Sequence, residues 1–182
     1  MTNLKKLIEN NTAKIAIFGM GYVGIPLART FINAGFEVTG IDVDSLRVET
    51  LKKGISPINH ITDIDIRHML KNGFKTTTDY SHVNSMDILI ICVPTPLSKN
   101  REPNLSYIID TAKNAGPYMR SDQLIILEST TFPGTTDKEL LNAIESSSDL
   151  ENEKDFWLAF SPEREDPGNK KFTTQNIPKV VG

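Results

Sequence analysis

The sequence has few of the residues that build covalent or metal-bonded frameworks. Its 182 residues include one cysteine and three histidines. A single cysteine excludes an internal disulfide framework, and His60, His68 and His82 lack the spacing of metal ligands. We therefore expect a fold that is held together by an apolar core and has no resident metal.

Long apolar runs and an excess of positive charge are also absent. The longest apolar run, residues 88–93, is far too short to cross a bilayer, and residues 1–12 carry charges where a signal peptide needs apolar residues. The net charge is −3 and the pI is about 5.6, which leaves no broad basic surface for nucleic acid or an anionic membrane. We expect a cytoplasmic protein that binds neither.

What the sequence does contain is an alternation of short apolar runs with helix-like segments. The alternation predicts an α/β fold, a doubly wound parallel sheet of at least six strands in the order 3-2-1-4-5-6, with ligands at the carboxyl ends of the strands. The strand-like runs are 15–18, 37–41, 75–78, 88–93, 124–128 and 156–160. Helices are predicted at 22–34, 45–53, 61–71, 106–119 and from Pro133 to 146.

The most informative motif is a glycine-rich turn after the first strand. Gly19 permits the tight turn into the following helix, Gly21 lets the backbone approach a pyrophosphate, and Gly24 lets that helix lie close to the sheet. The free N–H groups at the start of the helix would then bind the pyrophosphate. The predicted cofactor-binding turn consists of Gly19, Met20, Gly21, Tyr22, Val23 and Gly24.

Asp42, at the end of the second strand-like run, indicates which cofactor binds. It can accept hydrogen bonds from the adenosine ribose hydroxyls and would repel the 2′-phosphate of NADP, so NAD is favoured. Arg47 follows closely. It is a solvated helix residue, a ligand of a 2′-phosphate, or a residue that flanks the adenine ribose of NAD, and we prefer the last of these.

Unusual residues follow the fourth, fifth and sixth strands, whose carboxyl ends face the expected crevice. We call the residues that directly follow the carboxyl end of a strand its exit. Prolines stiffen the exit of the fourth strand, where they form a rigid turn alone or also contact the cofactor. The hydroxyl groups at the exit of the fifth strand have two possible roles. They cap the following helix, or at least one of them is free to orient a water or a nicotinamide. The residues at the three exits are Val93, Pro94, Thr95 and Pro96, then Ser129 and Thr130, then Glu163.

The single cysteine, Cys92, lies inside the apolar run 88–93. A small buried hydrophobe is the usual role at such a position, and apolar surroundings reduce the reactivity of a thiol. We therefore predict that Cys92 packs in the core and is not a nucleophile.

Five motifs in order, GMGYVG, IDVD, CVPTP, ESTTFPGTT and SPEREDPG, resemble the amino-terminal domain of the UDP-glucose/GDP-mannose dehydrogenase family, from about Lys14 to Gly182. The resemblance implies an enzyme that oxidises the primary alcohol of a nucleotide-linked hexose to a carboxylate with two NAD molecules and a cysteine thioester. SPEREDPG resembles the bacterial branch that acts on UDP-N-acetylglucosamine and serves polysaccharide biosynthesis.

The resemblance also implies roles for individual residues. Asp42 and Arg47 would contact the adenosine ribose, and Ser129 and Thr130 would border the nicotinamide, with Thr130 holding the hydrolytic water. Glu163 would be the acid or base at the reacting carbon. Arg164 stands where the family usually has an apolar residue, and with Glu163 and Glu165 it would face the UDP-sugar.

No segment of the chain resembles the family's GGHC-like nucleophile motif, its catalytic lysine or its central helical domain. We therefore expect residues 1–182 to be the NAD-binding domain of a larger enzyme, which would be a homo-oligomer, and to be inactive alone. Val180-Val181-Gly182 would begin a further strand. The alternatives are a stand-alone NAD-sensing regulatory module and a dehydrogenase of the 3-hydroxyacid type.

Overall fold

The computed structural model describes residues 2–97, 103–162 and 180–182. Six parallel strands form one sheet in the order β3-β2-β1-β4-β5-β6, so the predicted topology is confirmed. Its switch point lies between β1 and β4, where the strand order reverses. The strands are β1 (Lys14–Phe18), β2 (Glu37–Ile41), β3 (Phe74–Thr77), β4 (Ile88–Ile91), β5 (Gln123–Leu127) and β6 (Phe156–Phe160).

Helices cover both faces of this sheet. The α-helices in the described ranges are α1 (Thr2–Glu9), α2 (Gly24–Asn33), α3 (Ser45–Lys52), α4 (Asp63–Lys71), α5 (Ser106–Ala115) and α6 (Leu141–Glu145). Short 3₁₀ segments lie at Tyr80–Ser85 and Gly116–Tyr118, and a π-helical segment spans Thr135–Leu140. Helix α1 and the 3₁₀ segment Tyr80–Ser85 were not predicted, because both lie outside the alternation of apolar runs and helix-like segments.

Side-chain caps explain where α3 and α4 begin. The Asp44 carboxylate accepts hydrogen bonds from the N–H groups of Leu46 and Arg47 and so caps the start of α3. A capping box between Thr62 and Asp65 starts α4 later than predicted.

Ser106 does not cap the helix that is predicted at 106–119. Ser106 is the first residue of α5, and its N–H donates to the side chain of Asn104. The helix predicted from Pro133 is also wrong at its start, because the left-handed Gly134 (φ +96°) leads into the π-helical segment and α6 begins only at Leu141.

Two apolar layers hold the helices to the sheet. Every residue of β4 is buried, as expected of a strand covered on both faces. One layer joins α2 and α4 to β1 through side chains such as Ile17, Ile25 and Ile66. The other joins α5 and α6 to β5 through Ile108, Ile125 and Ile144, together with the other members of that layer.

A polar cluster at the amino-terminal edge of the sheet anchors the 3₁₀ segment Tyr80–Ser85. The buried Gln123 side chain donates to the carbonyls of Val83 and Met86, at 2.8 and 2.9 Å. Arg120 donates to Met86 and pairs with the Asp87 carboxylate at 2.6 Å. This cluster holds the carboxyl-terminal end of the 3₁₀ segment. Tyr80, at the other end of the segment, lines the site at the opposite edge of the sheet.

The last described residues lie beside the outer edge of β6. Gly182 and Phe160 exchange two backbone hydrogen bonds of 2.7 and 3.0 Å, the pattern of an antiparallel pair. In the described ranges no helix is long and apolar enough to cross a membrane, and no group of three or more metal-binding side chains comes together.

Candidate functional site

A cavity of about 910 Å³ opens at the carboxyl ends of β1, β2, β4 and β5. Its position at the switch point of the sheet is where doubly wound folds bind ligands. Eleven residues of the predicted cofactor site line it: Gly19, Gly21, Tyr22, Val23, Asp42, Arg47, Val93, Pro94, Thr95, Ser129 and Thr130. The structure therefore brings together residues from four separate motifs.

The glycines of the turn are required for different reasons. Gly19 has φ of +92°, and a Cβ there would lie 2.7 Å from the carbonyl oxygen of Cys92. A Cβ on Gly24 would overlap the carbonyl oxygen of Gly19, so this glycine lets the start of α2 contact the end of β1. Gly21 differs, because a Cβ there would meet only the Arg47 side chain, at 3.7 Å. Its α-carbon faces open space.

The turn presents unused donors to this space. In the described part of the chain, the backbone N–H groups of Gly21, Tyr22 and Val23 donate to no protein atom. They precede α2, whose amino-terminal end adds partial positive charge. Open space above Gly21, three free donors and a helix start form an arrangement that fits the pyrophosphate of a dinucleotide.

Asp42 occupies the position predicted for ribose recognition and has a second task. The carboxylate is buried, with one oxygen accepting the Met20 N–H at 2.7 Å and the other accepting the Asp44 N–H at 2.9 Å. Arg47 lies 3.6 Å from it and donates to the Met20 carbonyl at 3.3 Å. Each carboxylate oxygen retains a lone pair, so Asp42 can also accept from a ribose hydroxyl.

Three predicted cofactor residues do not line the cavity: Met20, Gly24 and Pro96. The Met20 side chain is fully buried against Gly40, where a Cβ would overlap the methionine sulfur. Its N–H is bound to Asp42. The side chain of Met20 thus packs in the core and its N–H is already used, so this geometry gives no support to a direct cofactor contact, which stays a prediction.

Two cross-strand hydrogen bonds join the exits of β4 and β5. The Ser129 hydroxyl donates to the Val93 carbonyl at 2.7 Å, and the Thr95 hydroxyl donates to the Thr130 carbonyl at 2.7 Å. Thr130 is exposed, and within the described residues its own hydroxyl makes no hydrogen bond. The Ser129 hydroxyl therefore links the exits of β4 and β5 to each other, and the Thr130 hydroxyl is available to a ligand.

Cys92 is not buried as predicted. Strand β4 ends at Ile91, so Cys92 lies one residue beyond it, half-buried, packing against the core and also lining the cavity. The apolar run suggested a longer strand, but β4 ends at Ile91, and the Cys92 carbonyl lies against the turn at Gly19.

One wall of the cavity is formed by residues that were not predicted from the sequence. Tyr80 stacks on Phe18 with ring centroids 5.6 Å apart, and burial raises the pKa of its phenol, while Thr111 and Asn114 oppose the shift. Helix α5 contributes five more residues to this wall, and only their helical spacing could have indicated it. The residues missed are Tyr80, Tyr107, Asp110, Thr111, Lys113, Asn114 and Glu128.

The predicted substrate and acid–base residues Glu163, Arg164 and Glu165 lie outside the described residues. The described chain leaves β6 through the buried Ser161, whose N–H donates to the Leu127 carbonyl at 3.0 Å, and continues to Pro162. The roles of the three residues remain predictions.

Comparison with known proteins identifies the family of the chain. Residues 13–182 match the model of the UDP-glucose/GDP-mannose dehydrogenase family, NAD binding domain. CapL of Staphylococcus aureus is 36% identical over 168 residues, which are 92% of this chain and 38% of that protein. UDP-N-acetyl-D-glucosamine 6-dehydrogenase of Salmonella typhi is 34% identical, with 92% of this chain and 39% of that protein covered.

Solved structures show the same relationship. UDP-D-ManNAc dehydrogenase from Pyrococcus horikoshii superposes with a TM-score of 0.80 at 34% identity, covering 85% of this chain and 37% of that one. A 3-hydroxyisobutyrate dehydrogenase from Mycobacterium tuberculosis, at 17% identity and a TM-score of 0.56, shares the fold alone. The chain spans about two fifths of the length of its relatives. It belongs to the UDP-glucose/GDP-mannose dehydrogenase family as an NAD-binding domain, and NAD is its cofactor.

Proposed function

We propose that residues 1–182 form the NAD site of an enzyme that oxidises the primary alcohol of UDP-N-acetylglucosamine to a carboxylate. The observation that carries the proposal is the single cavity that joins the glycine turn to the β4 and β5 exits. It can hold the pyrophosphate at Gly21 and leave the other half of the dinucleotide beside Thr130.

The relatives indicate a nucleotide sugar as the substrate class but do not distinguish among the sugars. UDP-N-acetyl-D-glucosamine 6-dehydrogenases from Salmonella typhi and Pseudomonas aeruginosa are 34% and 30% identical to the chain. UDP-N-acetyl-D-mannosamine dehydrogenases and a GDP-mannose 6-dehydrogenase are also similar. The SPEREDPG segment favours UDP-N-acetylglucosamine, and the other two nucleotide sugars are the alternatives that an assay must compare.

Each residue has a task in this proposal. Bound NAD supplies a hydride acceptor at the β4 and β5 exits. Ser129 fixes the two exits to each other, and the exposed Thr130 hydroxyl holds the water that hydrolyses a thioester. Glu163 is the base for that water, and Arg164 and Glu165 face the sugar nucleotide.

The chain alone is proposed to be inactive, because the thioester route needs a thiolate that reaches the sugar aldehyde. Cys92 cannot serve, because it lines the cavity directly beside the glycine turn, where the cofactor itself binds. The remaining parts of the site would come from segments that the relatives have and these 182 residues do not supply. The whole enzyme is proposed to be a homo-oligomer.

The test compares nucleotide sugars in an NADH-formation assay on the enzyme that contains this domain. The proposal predicts two NADH per UDP-N-acetylglucosamine consumed, and slower reaction with UDP-N-acetylmannosamine, GDP-mannose and UDP-glucose. The 182-residue chain, assayed in parallel, should bind NAD and form no NADH. Preference for another sugar would overturn the substrate assignment, and NAD binding with no turnover by the enzyme of any nucleotide sugar would favour an NAD-sensing module.

A further inference from the structure

One wall of the cofactor cavity carries polar side chains to which the proposed function gives no task. Tyr107, Asp110 and Asn114 follow one another along α5 at intervals of three and four residues, so they lie on one face of this helix. All three are exposed and line the cavity. Polar groups that line a ligand cavity orient the ligand, so this face of α5 indicates a contact with one part of the dinucleotide.

This wall lies at the same end of the cavity as Asp42. Tyr80 lies on the 3₁₀ segment that packs against α5, and its ring stacks on Phe18 at the end of β1. Burial is the main cause of the raised pKa of the Tyr80 phenol, and the Asp42 and Asp110 carboxylates also raise that pKa. The phenol is thus within electrostatic range of the carboxylate at the predicted ribose position and of the carboxylate on α5.

The covalent structure of adenosine indicates which part of the cofactor would meet this wall. The base and the 5′-phosphate are attached to opposite sides of the ribose ring. With the ribose hydroxyls at Asp42 and the pyrophosphate at Gly21, the base would lie on the side of the ribose away from the glycine turn. Val43 and Tyr107, which are 76% and 48% exposed and line the cavity, offer apolar surface for the flat faces of a base.

We propose that Asp110 recognises the exocyclic amino group of the adenine and makes the site selective for this base. An ionised carboxylate only accepts hydrogen bonds, and the amino group of adenine is a donor. Hypoxanthine has a carbonyl oxygen in the same place, which a carboxylate repels. Asn114, one turn further along α5, adds an amide that donates to a ring nitrogen of the base. Asp110 is thus a specificity-determining residue for the base of the cofactor.

This inference rests on the proposed function for the placement of the dinucleotide in the cavity. It goes beyond that function because it concerns the choice between cofactors that carry the same nicotinamide. Asp42 and the glycine turn contact groups that every such dinucleotide shares, so they do not distinguish one base from another.

The test is the ratio of two dissociation constants, Kd for nicotinamide hypoxanthine dinucleotide divided by Kd for NAD, measured by calorimetry on the chain. The two ligands differ only in the base, so effects on the ribose and the pyrophosphate cancel in the ratio. The parent should show a ratio of about three to ten, which is the effect of one hydrogen bond.

Asp110→Asn should bring the ratio to within about twofold of one, because its amide can either donate to the hypoxanthine oxygen or accept from the adenine amino group. Glu139→Gln is the matched control. It changes an exposed carboxylate outside the lining of the cavity and should keep the parental ratio.

A general electrostatic or structural role of Asp110 would change both affinities equally in Asp110→Asn, and an unchanged ratio overturns the inference. Equal binding of the two dinucleotides by the parent also contradicts it, whatever the variant does. Failure of the proposed function is distinguishable, because the ratio would then behave as expected while the enzyme oxidised no nucleotide sugar. Absence of binding by either dinucleotide would contradict both.

Discussion

The Asp42 carboxylate accepts a hydrogen bond of 2.7 Å from the backbone N–H of Met20. This contact joins the end of β2 to the glycine turn, 22 residues earlier in the chain. Arg47 adds to it by donating to the Met20 carbonyl. The residue predicted to bind the ribose therefore also shapes the turn predicted to bind the pyrophosphate.

Replacing Asp42 with alanine should consequently affect folding as well as binding. The N–H groups of Met20 and Asp44 would lose their acceptor, which we expect to lower the free energy of unfolding by about 1–3 kcal/mol. NAD affinity should weaken about three- to tenfold, the net contribution of one ribose hydrogen bond. Urea denaturation and calorimetric titration measure the two effects. Asp110→Ala, an exposed carboxylate of the same cavity, should change stability little, and parental stability of Asp42→Ala would refute the coupling.

Alanine substitutions at two glycines of the turn should have different effects, one on NAD affinity and the other on the stability of the fold. Gly21→Ala places a methyl group in open space, so we expect stability within about 1 kcal/mol of the parent but at least tenfold weaker NAD binding. Gly24→Ala makes the added methyl overlap the Gly19 carbonyl and should cost about 3 kcal/mol of stability. Thermal melts with and without NAD distinguish the variants. Unchanged NAD affinity in Gly21→Ala would place the pyrophosphate elsewhere.

The strand order and the turn could be predicted from sequence because each depends on local signals. The alternation of apolar runs fixes a parallel sheet, and Gly19 has the positive φ that its motif requires. Asp44 caps α3 for the same reason, since a cap and its donors are neighbours in the chain.

What could not be predicted depends on contacts between distant segments. The burial of Met20 depends on Gly40 on the adjacent strand, and the Cys92 carbonyl lies against the turn at Gly19, more than 70 residues earlier in the chain. Tyr80 reaches the cavity because Gln123, far along the chain, holds its 3₁₀ segment. No local sequence pattern indicates such contacts between distant residues. The positions of these residues could therefore not be predicted from the sequence.

The half-buried position of Cys92 yields a chemical prediction. Because Cys92 lines the cofactor cavity, a small alkylating reagent should reach it, and NAD at ten times its Kd should slow the reaction roughly tenfold. Mass spectrometry follows the reaction directly, since the chain has one cysteine. Cys92→Ser is the blank that shows no incorporation. Equal rates with and without NAD would mean that the cofactor does not cover the β4 exit.

The raised pKa of Tyr80 predicts a dependence of stability on pH. Burial favours the neutral phenol in the folded chain, so this contribution is complete below the unfolded pKa of about 10 and is lost as pH rises through the higher folded value. Tyr80→Phe keeps the stack on Phe18 and removes the titrating group. Urea denaturation at several alkaline pH values should show a smaller loss of stability in this variant than in the parent. Tyr107→Phe, at an exposed tyrosine of the same cavity, is the control, and an equal loss in parent and Tyr80→Phe would contradict the assignment.

The central claim is that these 182 residues bind NAD through Asp42 and the glycine turn. Its most direct test is calorimetric titration of the chain with NAD and with NADP. The added 2′-phosphate of NADP would meet the buried Asp42 carboxylate, so NAD should bind at least about tenfold more tightly. Equal affinity for the two dinucleotides, or no binding of NAD, would contradict the account.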